Sequence, residues 1–314
     1  MKKFAKILVR IFVVVLVLIA AVVLLLLWLQ KQPAVRARYW EKITLGAALE
    51  KKYTGKGSYA VLSMEREANN EKTGRFIIWY PAKEHASGEK YPAVIMVNGT
   101  GVPASKYEAV FEHLASWGFV VIGNEDESSW DGSSSDESLA FVLQLNEDEE
   151  SILFDKIDVE NIGIAGHSQG GVGAINAVTV HGNQDAYKAL YTASTTQISF
   201  SEALHWPYDV SKVSVPYFMT AGTKQIDAGN EKDSGITPLF SLRENYAAIS
   251  DRVMKIHARR VNADHGDMLS WADGYMTAWF LYLLKDDQEA GKVFLGENAE
   301  ILKNENWQDI EKNL

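Results

Sequence analysis

The fold turns on the stretch Ile162-Gly163-Ile164-Ala165-Gly166-His167-Ser168-Gln169-Gly170-Gly171-Val172-Gly173-Ala174. Its first four residues are apolar and compact, as in a short strand buried on both faces. From Gly170 to Ala174 the residues are small enough to open a helix whose backbone lies close to its neighbours. Between them stands Gly-x-Ser-x-Gly, which at a strand-to-helix junction forms a nucleophile elbow. That turn lifts one serine hydroxyl above the sheet on a strained backbone, and it needs glycine because neighbouring atoms crowd it. Ser168 is the candidate nucleophile; the bland alternative is an ordinary serine in a glycine-rich turn.

Working outward, strands and helices alternate. Ser58–Arg66 and Arg75–Tyr80 read as strands, as do the apolar runs Ala93–Val97 and Phe119–Gly123. Ser105–Trp117 has apolar residues at helical spacing and ends at Gly118. A loop rich in Ser, Asp and Glu (Glu125–Ser138) leads to a helix expected over Leu139–Asp155. After the elbow helix, Gln169–Val180, come strands Lys188–Tyr191, Pro216–Ala221 and Arg252–Arg259. A helix near Leu239–Ile249 and a long one over Met268–Leu284 complete the pattern. Alternation of this kind predicts one α/β domain built on a mostly parallel sheet flanked by helices.

A serine nucleophile needs a base and an acid, and this topology supplies them in the order Ser, acid, His. Of seven histidines, His85 and His113 precede the serine and His167 lies within the elbow. His181, His205 and His257 fall at a helix end, in an earlier loop and inside a strand. His265, in Asp264-His265-Gly266-Asp267 after the last strand, is the candidate base, with a surface loop histidine as the alternative. Asp227 is the first carboxylate after Pro216–Ala221 and the candidate acid, with Asp233 as the second choice. Backbone N–H groups of Gln169 and Thr100, the latter in Asn98-Gly99-Thr100-Gly101, are the candidate oxyanion hole. Trp130 and Trp206 could wall the cleft, or could equally be core or surface anchors. The same turn also fits a dinucleotide fingerprint, Gly99-x-Gly101-x-x-Ala104, with Glu125 and Asp126 placed as ribose-binding acids. Strands preceding this unit weaken that rival, and the elbow chemistry already needs the turn.

The residues Val97–Gly101, Gly166–Gly170, the loop Gly222–Asp227 and Asp264–Gly266 together resemble the α/β-hydrolase superfamily. More narrowly they are similar to its small-lidded esterases, the dienelactone-hydrolase-like, chlorophyllase-like and cutinase or polyester-hydrolase-like group. The similarity runs from about Ser58 to Phe294. It implies the α/β-hydrolase fold, Ser168 as nucleophile, His265 as base and Asp227 as its orienter, with no cofactor. Dienelactone hydrolases themselves use a cysteine that this chain lacks, so that activity is not implied.

Composition bounds the remaining possibilities. The chain has 314 residues, 47% hydrophobic and 23% charged, with 41 acids, 31 bases and no cysteine. Disulfide scaffolds, thiolate zinc sites and a cysteine nucleophile are excluded, and no metal site is expected. A net charge of −10 argues against a nucleic-acid partner. The average conceals two materials. Residues 1–30 hold Lys2, Lys3, Lys6 and Arg10 and no acid, which leaves 41 acids and 27 bases, a charge of −14, on the rest. Ile11 to Leu29 are nineteen residues without a polar side chain, about 28 Å as a helix against a hydrocarbon core of about 30 Å. This is longer than a signal-peptide core, so residues 1–30 are expected to be an uncleaved transmembrane signal anchor. Basic residues ahead of it favour a cytoplasmic N-terminus and an extracytoplasmic body. Residues 31–57 are expected to be a stalk, and 58–314 the hydrolase domain. The expected chemistry is carboxylic ester hydrolysis through an acyl-enzyme on a small-molecule or polymeric ester. Acyl transfer or peptide hydrolysis would use the same three residues, and a non-catalytic or dinucleotide-binding domain is the alternative of another class.

Overall fold

The structure is a computed structural model that describes residues 2–82, 88–230 and 234–314. The chain divides into two units, Met1–Ala34 and Val35–Leu314. In the first, α1 (Lys2–Gln30) is a single helix of 29 residues. Its described run from Phe12 to Leu25 is exposed and wholly apolar. Among the described residues no helix is long and apolar enough to cross a membrane. The side chains of Ile11, Leu26, Leu27 and Leu29, at the ends of the expected span, lie outside the described residues.

The second unit begins with α2 (Ala48–Thr54), β1 (Val61–Glu67), β2 (Arg75–Pro81), β3 (Tyr91–Val97), α3 (Glu108–Ser116), β4 (Val120–Asn124) and α4 (Ser133–Glu147). It continues with β5 (Ile157–His167), α5 (Gln169–Thr179), β6 (Tyr187–Ala193), α6 (Ile198–Ala203), β7 (Tyr217–Gly222) and α7 (Gln225–Ala228). The last elements are α8 (Leu239–Ala248), β8 (Lys255–Arg260), α9 (Met268–Trp271), α10 (Asp273–Lys285), α11 (Gln288–Gly291) and β9 (Trp307–Lys312). The strands form one sheet in the order β1-β2-β4-β3-β5-β6-β7-β8-β9. From β4 through β8 every pair is parallel, while β1, β2 and β9 pair antiparallel at the edges.

The buried central strands sort their side chains by parity. In β3, Val94 and Met96 join one core, and Ala93, Ile95 and Val97 join the other, the two-residue period of a pleated strand. The first core carries α3 and α10 through Phe111, Leu114, Trp279 and Phe280. The second carries α4 and α5 through Leu139, Val142, Ile175 and Val178. The result is a three-layer helix–sheet–helix body, whose parallel strands deliver their carboxyl ends to one edge, where such sheets bind ligands.

Four expectations change. The stalk expected over 31–57 is, from Val35 onward, part of the folded body. Val35 and Tyr39 are buried and Tyr53 is wholly so; Tyr39 Oη donates to Asp273 Oδ2 at 2.6 Å, and His113 Nδ1 sits 2.7 Å from the same oxygen. α4 starts at Ser133 rather than Leu139, because Ser134, Ser135 and Ser138 are buried small residues and not loop polar groups. Asn124 Nδ2 donates to Ser134 O and Ser138 Oγ, each at 2.9 Å, which fixes that first turn. The long helix expected over Met268–Leu284 is interrupted at Ala272, between α9 and α10. Finally, β9 closes the sheet on β8, although its sequence has no clean alternation.

Candidate active site

β5 ends at His167 and α5 starts at Gln169, so Ser168 alone makes the turn. Its backbone has φ 58° and ψ −122°, a conformation that costs a residue bearing a Cβ about 1–3 kcal/mol. Neighbours hold it there. Ser168 N–H donates to Ala193 O at 3.0 Å, and Ser168 O accepts from Gly171 N–H at 2.9 Å. A Cβ on Gly166 would lie 2.0 Å from the Gly170 carbonyl oxygen, so only glycine fits. The serine stands at the amino end of α5, where the helix dipole favours negative charge.

Asp227 lies on α7, after β7, and is wholly buried. His265 opens a 3-10 turn after β8. His265 Nδ1 donates to Asp227 Oδ1 at 2.7 Å. The other carboxylate oxygen accepts from Gly222 N–H at 2.7 Å and from Ser194 Oγ at 2.5 Å. Burial pushes this carboxyl's pKa up, but the hydrogen bond and charge of His265 and the bonds from Ser194 and Gly222 outweigh it, leaving the pKa below the usual carboxylate range. Asp227 is thus an ionised acceptor that selects the His265 tautomer with Nε2 free. Asp264, adjacent to the histidine in sequence, does other work. Its Oδ1 accepts from Ile226 N–H and from His265 N–H, both at 2.9 Å, and so ties the acid loop to the histidine loop. Asp233 lies outside the described residues.

The elbow histidine is a residue that sequence reasoning set aside. His167 Nε2 donates to His265 O at 2.8 Å, and the two rings lie 4.6 Å apart between centroids. Burial first, and the charge of His265 second, lower the His167 pKa from 6.5 to about 4. It is a neutral prop against the histidine loop. Ser194 was also missed; it follows β6 with φ 53°. No motif in the chain marks Ser194, because a serine after a strand has no spacing signature.

Thr100 follows β3 and is exposed beside the elbow, and Gln169 opens α5. Among the described residues no backbone carbonyl engages either N–H, so both donors remain unspent. Gly99 brings the turn close: a Cβ there would lie 3.3 Å from His167 Nδ1 and 3.6 Å from Ser168 Cβ. The same contact answers the dinucleotide reading, since the turn faces the serine and α3 starts only at Glu108. Glu125, the supposed ribose ligand, accepts from Ser105 N–H at 3.0 Å and Ser105 Oγ at 2.9 Å. Trp130 and Trp206 are half-buried. Asn176 Nδ2, two turns along α5 from the serine, donates to Trp130 O at 2.8 Å and to Pro207 O at 3.0 Å. Among the described residues neither indole makes a ring contact with His167 or His265. Groups of acids and histidines able to hold a metal ion are absent among the described residues.

A family model described as PET hydrolase-like matches residues 49–308. The chain belongs to that family and is an ester hydrolase of the α/β-hydrolase type. No curated protein matches it.

Proposed function

We propose that the chain is a serine esterase that cleaves carboxylic esters, including polymeric ones, with Ser168, His265 and Asp227 as its catalytic residues. The observation that carries this reading is the 2.7 Å hydrogen bond from His265, after β8, to the buried Asp227 carboxylate, after β7, with the His265 ring 4.6 Å from that of His167, the residue before the strained serine. His265 Nε2 takes the Ser168 proton as Oγ attacks the ester carbonyl, then returns it to the leaving alcohol. Asp227 holds the tautomer and stabilises the imidazolium. The N–H groups of Thr100 and Gln169 receive the oxyanion, each contributing about 3–4 kcal/mol to the transition state. Water then releases the acid by the same steps in reverse.

The exposed apolar run of α1, preceded by Lys6 and Arg10 and by no acid, supports a membrane anchor with the body on the extracytoplasmic side. Fractionation in alkaline carbonate tests that part; release of the full chain into the soluble fraction would refute it. For the chemistry, the full-length chain in detergent is treated with a fluorophosphonate probe beside Ser168→Ala and His265→Ala. Labelling is expected only for the unmodified protein, and its absence there would remove the serine-hydrolase reading. A ladder of p-nitrophenyl esters then sets the acyl length.

A further inference from the structure

We infer that Asn98 is the positioning residue of the oxyanion turn: it bolts Gly99-Thr100-Gly101 to the loop that follows β4, and so fixes where the Thr100 N–H points. The inference rests on the esterase reading above. Asn98 is the first residue after β3 and is 1% exposed. Both of its side-chain amide hydrogens are engaged. Nδ2 donates to Asn124 O and to Asp126 O, each at 2.7 Å. Oδ1 accepts from the Tyr107 hydroxyl. Its own carbonyl accepts from Ser129 Oγ at 2.7 Å, and one residue beyond Thr100, Gly101 N–H donates to Glu127 O at 3.0 Å.

These bonds frame Thr100 on both sides and leave its N–H unengaged. The arrangement is costly unless complete, because each buried polar group would otherwise lose its hydrogen bonds to water without replacement. Only an amide can donate twice through nitrogen and accept through oxygen at this place. Asn98→Asp keeps the shape and reverses the chemistry, setting a carboxylate oxygen against two carbonyl oxygens. The turn must then shift, and an oxyanion donor displaced by even about 1 Å loses most of its effect on the transition state.

A donor used only in the transition state lowers kcat when it is lost and leaves KM nearly unchanged. The test compares the full-length chain in detergent with Asn98→Asp, using p-nitrophenyl butyrate and its thionoester (C=S) analogue. Backbone N–H groups stabilise developing oxygen charge better than sulfur charge, so loss of the hole also narrows the ester-to-thionoester rate ratio. The expected outcome is a fall in kcat of about 10²-fold, with KM within about threefold and a collapsed ratio. Ser129→Ala and Tyr107→Phe remove one hydroxyl each and carry the test if Asn98→Asp does not fold. Each is expected to lower kcat by about 3–10-fold and to narrow the same ratio, in line with one lost buried hydrogen bond. A kcat within twofold of the unmodified protein, or a lower kcat with the ratio unchanged, would overturn the positioning role alone. No ester turnover by the unmodified protein would overturn the esterase reading beneath it.

Discussion

Acidification from pH 7 to pH 5 should destabilise the body through His167, a ring that performs no proton transfer. Its burial, and then the charge of His265, lower its pKa from 6.5 to about 4. In the unfolded chain the same ring titrates near about 6.5. Between those values the unfolded state binds more protons, so stability rises with pH and is lost as pH falls. Integration across that window gives a loss of about 0.8 kcal/mol at pH 6 and about 2 kcal/mol at pH 5, a ceiling because solvent reaches part of the ring. At roughly 2 °C per kcal/mol for a body of this size, the melting temperature falls by about 4 °C at pH 5. His167→Phe keeps an aromatic ring 4.6 Å from His265 but removes the 2.8 Å bond to His265 O. That loss costs about 1 kcal/mol at every pH. Melting of both full-length proteins in detergent, followed by circular dichroism at pH 7, 6 and 5, should therefore show a crossing. The variant melts lower at pH 7 and higher at pH 5. Melting temperatures that run parallel across the series would refute the reasoning, because the titrating groups away from His167 are common to both proteins.

Asp227→Asn should retain the fold while lowering kcat by roughly 10⁴-fold, because the amide no longer selects the correct His265 tautomer; a loss below tenfold in ester hydrolysis would remove Asp227 from that role. Ser194→Ala deletes the 2.5 Å bond to Asp227 Oδ2 and should cost about 1.5–3 kcal/mol in urea denaturation at pH 7. Since the folded pKa of Asp227 is lowered, that deficit is present above the unfolded carboxylate value and should shrink as pH falls through the folded one. His113 has the opposite sign. Burial lowers its pKa, but Asp273 outweighs this with its charge and hydrogen bond, helped by the backbone carbonyls, and the net pKa is raised. His113→Gln should therefore cost most below the unfolded imidazole value, with the cost fading in alkali, which urea midpoints at pH 5.5 and pH 8.5 would reveal.

The parts of this molecule visible in the sequence are those that obey local rules. β3 and β5 read as buried strands because every residue from Tyr91 to Val97, and from Ile162 to Gly166, is enclosed on both faces. Ser168 was visible because only glycine tolerates the crowding at Gly166, and crowding leaves a spacing that can be read. His265 emerged by elimination from strand order. The hidden parts depend on contacts across the sheet. Ser133 to Ser138 look like loop by propensity, yet are helix because Asn124 reaches across to hold them. Residues from Val35 to Tyr53 look like a polar stalk, yet Tyr39 and Tyr53 are buried by α3 and α10, more than fifty residues away in sequence. β9 is polar enough to pass for a tail and becomes a strand only because β8 offers it an edge.

The same distinction explains how the site is held. None of its loops is fixed by its own residues alone. Asp264 on the histidine loop holds the amide of Ile226 on the acid loop, and Ser194 after β6 holds the acid itself. His167 in the elbow holds the backbone of the histidine loop, and Asn98 after β3 holds the loop after β4. Each tie joins the carboxyl end of one strand to that of another, so the geometry of the candidate site exists only once the parallel sheet has formed in the order β4-β3-β5-β6-β7-β8. In the proposed mechanism the motif residues supply the chemistry, and these other polar side chains hold their loops in place. Around them, Thr100, Glu127 and Ile226 are exposed.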